Sequence, residues 1–150
     1  MTGFLNNLCE DWSRMLKPTE MEVQNEDIKI DEYMVLAELQ EAFAHKYPFL
    51  KIDFFEADKA TGATKLKELN PITRISSLPI LTTDVVINVS SNRTVAEVTG
   101  EFLKKLGVGI QVSRKSGKVW NEITVTENWT LKTQNTAAEF VSSLMKISHL

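Results

Sequence analysis

Two histidines, His45 and His149, and one cysteine, Cys9, are the strongest candidate metal ligands and nucleophiles in this 150-residue chain. One thiol and two distant imidazoles give none of the paired spacings that hold a zinc ion. His45 falls in the last turn of a predicted helix, on the face away from its apolar stripe, where an imidazole serves the helix dipole. His149 is the penultimate residue. Ser143-Leu144-Met145-Lys146 has the Ser-x-x-Lys spacing but lacks that chemistry's companion motifs. Lys115-Ser116-Gly117-Lys118 lacks the upstream glycine of a phosphate loop and reads as a hairpin turn. The acid pair Asp31-Glu32 enters a predicted helix, and short polar or acidic side chains there cap free N–H groups. No catalytic, cofactor-binding or metal-binding residue is therefore assigned, and the chain is read as a non-enzyme. An active site would have to be assembled from carboxylates on separate elements.

Positioning any side chain requires a core, and a chain that is 43% hydrophobic is long enough to build one. No apolar run approaches the roughly 18 residues of a membrane span. The start, MTGFLNNLCEDW, has no basic region before its apolar residues, so no secretory signal is read there. One cysteine excludes an internal disulfide framework, and a cytoplasmic location is expected. The net charge of −3 hides an asymmetry. Up to Asp58 there are 5 Lys/Arg and 13 Asp/Glu, a balance of −8; beyond it there are 12 and 7, a balance of +5. Either the two halves neutralise each other within one fold, or the molecule carries two oppositely charged surfaces that steer a partner.

The elements come in two similar sets. Residues 28–48 align without a gap with residues 87–107: Ile28/Ile87, Ala37/Ala96, Glu38/Glu97, Phe43/Phe102 and Lys46/Lys105 are identical. Such a period marks a supersecondary unit used twice. The first repeat spans about 27–78, with a strand at Ile28–Ile30, a helix over Met34–Lys46, a strand at Leu50–Phe55 and a mobile polar loop over Glu56–Thr64. The second spans about 84–135. It has a strand at Val85–Val89, a helix opened by the capping box Thr94-x-x-Glu97 and closed by Gly107, and a hairpin of Val108–Arg114 with Val119–Val125. Ser116-Gly117 as the hairpin loop sets Val112 against Asn121 and Trp120 against Ser113. An amphipathic helix over 3–17 carries Phe4, Leu5, Leu8, Trp12, Met15 and Leu16, and a last helix over about 131–148 carries Phe140, Val141, Leu144, Met145 and Ile147. The expected fold is α+β: one domain of two tandem strand-helix-strand(-strand) repeats forming a mixed sheet, with an extra helix at each terminus.

Apolar residues in excess of this core are the candidates for function. Trp120 and Phe55 point away from the repeat helices, and Gly100 with Leu103 forms a second, flat stripe on the second helix. Either the terminal helices cover them or they are a partner surface. The basic residues Arg114, Lys115 and Lys118 at the hairpin turn complete the candidate partner-binding set. They also raise nucleic-acid binding as an alternative. Lys104 and Lys105, however, fall at the opposite end of the sheet, about 20 Å away at ~3.3 Å per strand residue. A divided basic surface on an acidic chain is a poor phosphate binder.

The stretch Arg114-Lys115-Ser116-Gly117-Lys118-Val119-Trp120, followed by Trp129-Thr130-Leu131-Lys132-Thr133-Gln134-Asn135, resembles small uncharacterised bacterial proteins ending in an RKSG-x-VW…WTL-x-x-QN pattern. The resemblance implies a bacterial cytosolic setting and no activity. It also implies that Trp120, Trp129 and Asn135 share one local structure, a hairpin packed under the last helix. The resulting expectation is a protein-binding or adaptor module, with self-association, no cofactor and no membrane partner.

Overall fold

The computed structural model describes residues 26–58, 60–80 and 84–148, and the fold is α+β. The helix expected over 3–17, and His149, lie outside the described residues. Along the chain run β1 (Asp27–Ile30), α1 (Leu36–Lys46), β2 (Leu50–Glu56), a 3-10 turn (Ile75–Ser77) and β3 (Val85–Asn88). They are followed by α2 (Val95–Leu106), β4 (Val108–Ser116), β5 (Val119–Glu122) and α3 (Leu131–Ser148).

The strands do not make the mixed sheet that sequence pattern suggests. They form two antiparallel sheets, β1–β3 and β2–β4–β5. The reason lies in the pairing: β1 pairs with β3 and β2 with β4, each strand crossing to the other half of the chain. Ile28 sits opposite Ile87, the very residue that matches it in the sequence alignment. In the larger sheet Asp53 sits opposite Gln111. Leu36, Leu39 and Phe43 of α1 and Val95, Val98, Phe102 and Leu106 of α2 are buried with Ile52, Phe54, Ile110 and Val112 in a single core. Phe54 meets Phe102 edge-on, with ring centroids 5.7 Å apart.

The first N–H groups of a helix have no partner within it, and here later segments supply the acceptors. Leu36 N–H donates to Thr73 O (3.0 Å) and Ala37 N–H to Pro71 O (2.8 Å), while Ile75 N–H donates to Met34 O (2.8 Å). The same set recurs at α2: Val95 N–H to Trp129 O (3.2 Å), Ala96 N–H to Glu127 O (2.9 Å), and Leu131 N–H to Arg93 O (2.8 Å). The 3-10 turn thus occupies, beside α1, the position that the first turn of α3 occupies beside α2. Thr94 adds a capping box, accepting from Glu97 N–H at 3.1 Å, and Gly107 closes α2 in the left-handed region with φ +70°.

The hairpin register differs from the expected one by two residues. Gly117-Lys118 is the loop, so Ser116 faces Val119, Arg114 faces Asn121, and Trp120 faces Lys115 rather than Ser113. Glycine with φ +64° takes the first loop position, which a Ser116-Gly117 loop would have given to serine. Ile123 is buried, and Val119 and Val125 are exposed.

Among the described residues, the sheet face away from the helices is covered by the loop after β2 and not by a terminal helix. Leu66 N–H donates to Glu56 O (3.1 Å) and Leu69 N–H to Phe54 O (2.8 Å), which makes this segment an edge partner of β2. The stretch read from sequence as a mobile loop is held at its end. A side chain at Gly109 would collide with the carbonyl of Thr64, and Lys65 donates to Gln111. Gln111 is consequently buried although it faces away from the core, and Ser113 on the same face, between Lys51 and Glu122, is buried as well.

Candidate interaction surfaces

The candidate residues do not converge on one patch. Trp120 lies on the far sheet face, 36% exposed. The ammonium groups of Lys51 and Lys115 stand 5.4 and 5.9 Å from its ring centre. Lys118 is exposed beside it on the turn. Arg114 points to the opposite face, where it donates to the Gln134 side chain at 3.1 Å. Phe55 is half-buried near the other end of β2, opposite Gly109. Gly100 is exposed on α2, and a Cβ added there meets nothing within 4 Å, so close packing among the described residues does not explain this glycine. Leu103 beside it is half-buried.

Asp31 is accounted for by local structure, because its carboxylate accepts the N–H groups of Tyr33 (2.9 Å) and Met34 (3.1 Å). The hairpin does pack against α3, through Ser142, whose hydroxyl accepts from Gly117 N–H at 3.1 Å. Trp120, Trp129 and Asn135 nevertheless have separate partners. Asn135 accepts from Phe49 N–H (2.9 Å), and Trp129 serves α2 through its carbonyl.

One titratable cluster is well built, and it is structural. Glu101 on α2 receives Arg93 at 2.6 Å, Lys105 at 3.0 Å and the N–H of Asn88 at 3.0 Å. Burial pushes its carboxyl up, but the hydrogen bonds from Lys105, Arg93 and Asn88 outweigh that and hold it below the ordinary carboxylate range. Arg93 and Lys105 also donate to the carbonyls of Asn88 and Val86, which fastens α2 to β3. These ion pairs, and Lys51–Asp53, each join residues of the same half of the chain. The acidic and basic halves are therefore woven together by strand pairing and not by these bridges. Among the described residues, no group of three or more His, Cys, Asp or Glu is placed to hold a metal, and no helix is long and apolar enough to cross a membrane.

The surface that sequence reasoning missed is on α3. Leu131, Gln134, Ala138 and Ser142 face inward and are buried, a seam at i, i+3, i+7 and i+11. Phe140 (64% exposed), Leu144 (49%) and Ile147 (65%) lie on the other side. At about 100° per residue they stand roughly 120–180° around the helix from that seam. Past Leu131 the helix is inverted: its buried seam is Gln134, Ala138 and Ser142, while its large apolar residues Phe140, Leu144 and Ile147 are exposed beside charged and polar ones. The buried polar residues have partners. Gln134 accepts from Arg114 and donates to the carbonyl (2.7 Å) and hydroxyl (2.9 Å) of Thr126. The sequence signal was available as a helix whose apolar residues spread beyond one stripe, with glutamine and serine in phase with Leu131.

A cleft of about 310 Å³ opens beside the 3-10 turn, among Glu56, Leu66, Leu69, Leu78, Pro79 and Val108. No protein-family model matches this chain, and neither curated proteins nor solved structures give a match.

Proposed function

We propose that the chain is a tandem duplication that works as a non-enzymatic protein-binding module, associating with a second copy of itself through the outward stripe of α3. The observation that carries this reading is the inverted helix. A soluble helix normally turns its apolar stripe to the core, and a contiguous exposed patch marks an interaction site. Covering Phe140, Leu144 and Ile147 is worth on the order of 1–2 kcal/mol each, at about 25 cal/mol per Å² of apolar surface.

The second copy is favoured by the charges that flank the stripe. Two α3 helices crossed antiparallel about Leu144 set Phe140 of one against Ile147 of the other. The same crossing brings Glu139 of one copy to Lys146 of the other, twice over. An isologous contact requires such self-complementarity. The duplication reading is supported by the matched hydrogen bonds at α1 and α2 and by the pairing of Ile28 with Ile87. The test is light scattering after gel filtration: the chain is expected to elute as a dimer and Leu144→Asp as a monomer with unchanged circular dichroism. A monomeric native chain at high concentration defeats the reading.

A second reading, nucleic-acid binding at the hairpin, has one observation in its favour: a part-exposed Trp120 between Lys51 and Lys115, an arrangement that suits a stacked base. Arg114 is engaged away from that face. This reading requires retention on single-stranded DNA that falls steeply with salt and is lost in Trp120→Ala.

A further inference from the structure

We infer that the outer edge of β5 takes an extended acidic segment of another protein as an added strand. The register of the hairpin sets which backbone groups are free. Ile123 N–H donates to Val112 O at 3.0 Å, and Asn121 sits opposite Arg114. In an antiparallel ladder, alternate residues turn their N–H and C=O groups toward the neighbouring strand. Val119, Asn121 and Ile123 therefore bond to β4, and Trp120 and Glu122 present their backbone groups outward. β5 is the last strand of its sheet, and all four of its residues are exposed.

The outer edges of β2 and β3 are closed. On β2, Phe54 O and the N–H and C=O of Glu56 are taken by Leu69, Lys67 and Leu66, and Gln40 donates to Ile52 O at 2.9 Å. On β3, the bond from Val89 N–H to Glu26 O (2.9 Å) turns Val86 and Asn88 outward. Lys105 and Arg93 donate to their carbonyls at 2.6 and 2.8 Å, and Asn88 N–H donates to Glu101 at 3.0 Å. Nothing comparable stands on β5. Among the described residues, no hydrogen bond reaches the outward backbone groups of Trp120 or Glu122. The strand also lacks the proline or bulge that natural edges use against pairing.

Charge decides the occupant. Lys115 and Lys118 make no ion pair among the described residues. The ammonium groups of Lys115 and Lys51 stand 5.9 and 5.4 Å from the Trp120 ring centre, and of the two only Lys51 has a carboxylate partner, Asp53 at 3.6 Å. Every second side chain of an added strand lies on this face. One packs beside Trp120, and the next toward the turn comes within diagonal reach of Lys118. An acidic side chain there supplies the missing partner. Glu122 repels an acid at the other end and so fixes the register. Main-chain bonds give such a complex its affinity, and the lysines give it selectivity. This surface rests on the protein-binding reading and is independent of the α3 contact.

The probe is a short peptide of alternating glutamate and valine, titrated into the ¹⁵N-labelled full chain. Amide exchange at Trp120 and Glu122 is expected to be fast in the free protein and to slow about tenfold or more with peptide bound. Exchange at Asn121 and Ile123, already bonded to β4, is expected to change little. A lysine–valine peptide is expected to leave both outward amides unprotected. Glu122→Pro removes one outward N–H at a position where an edge strand accepts proline. It is expected to abolish binding while the rest of the spectrum stays in place, although it also removes the repelling carboxylate. Lys118→Glu, which leaves the backbone intact, is expected to weaken binding about tenfold. Leu144→Asp, which separates the copies, is expected to leave the protection intact, so the two readings fail independently. Unprotected amides at saturating peptide, or equal protection by the lysine–valine peptide, would overturn the inference. So would single-stranded DNA that shifts the Trp120 signals where the peptide does not, the outcome that the nucleic-acid reading requires.

Discussion

On the proposed duplication, the two halves of the chain are versions of one plan that differ in how they are finished. Both helices bury an apolar stripe about three turns long, and both hand their first N–H groups to carbonyls 31–37 residues further on. The second half adds the Thr94 cap, the Glu101 ion cluster and all of α3. The first half has Val35 at the cap position, whose side chain accepts nothing, Ala42 in place of Glu101, and a single 3-10 turn in place of α3. The lesson is that the core plan tolerates either finish, so the additions to the second half are where stability can be tuned and where a surface such as the α3 stripe can be added.

The comparison is broken most severely in its shared part. Phe43→Ala and Phe102→Ala remove fully buried rings at matching positions, and each is expected to cost about 3–5 kcal/mol in denaturant unfolding. Losses that differ by more than the width of that range would contradict the equivalence of the halves. Next comes Gln134→Ala, which leaves Arg114 and Thr126 without their buried partner at an expected cost of about 1–3 kcal/mol.

Glu101→Gln sharpens the contrast through pH. The folded carboxyl titrates below its ordinary value of 4.5, so its contribution is complete above that value and is lost as pH falls through the folded pKa. Acid unfolding of Glu101→Gln, followed below pH 4.5 by circular dichroism, is expected to be shallower than that of the native chain. The smallest effects are at the caps. Thr94→Ala is expected to cost about 1 kcal/mol, and Val35→Thr to stabilise by a few tenths to about 1 kcal/mol, both read as shifts in the denaturation midpoint.

Much of the framework was legible in sequence because it follows from local rules. The stripes of α1 and α2 show as 3.6-residue periodicity, the α2 cap as Thr-x-x-Glu, and its end as Gly107. Sheet assembly was not legible, because a strand's partner is a long-range choice: nothing near Ile28 says that it pairs with Ile87 rather than within its own unit. The hairpin slipped by two residues, since alternation keeps its phase under an even shift and only the φ of Gly117 decides. For the candidate surfaces, Trp120 was placed on the correct face but with the wrong cross-strand neighbour. Gly100 was read as part of a flat stripe, and no described residue packs on it. The direction of the α3 stripe was left open, because apolar residues at helical spacing say that a stripe exists, and Gln134 with Ser142 decide which way it points.

The measurement that bears most directly on the central claim is a charge exchange across the crossed α3 pair, read by sedimentation velocity. Glu139→Lys alone sets lysine against Lys146 of the second copy, and Lys146→Glu alone sets glutamate against Glu139. Each like-charge contact costs on the order of 0.5–1 kcal/mol and occurs twice per dimer, so each variant alone is expected to associate more weakly than the native chain. An equimolar mixture restores opposite charges at both contacts and is expected to recover the native dimer. A mixture that associates no better than its components would contradict the antiparallel α3 interface.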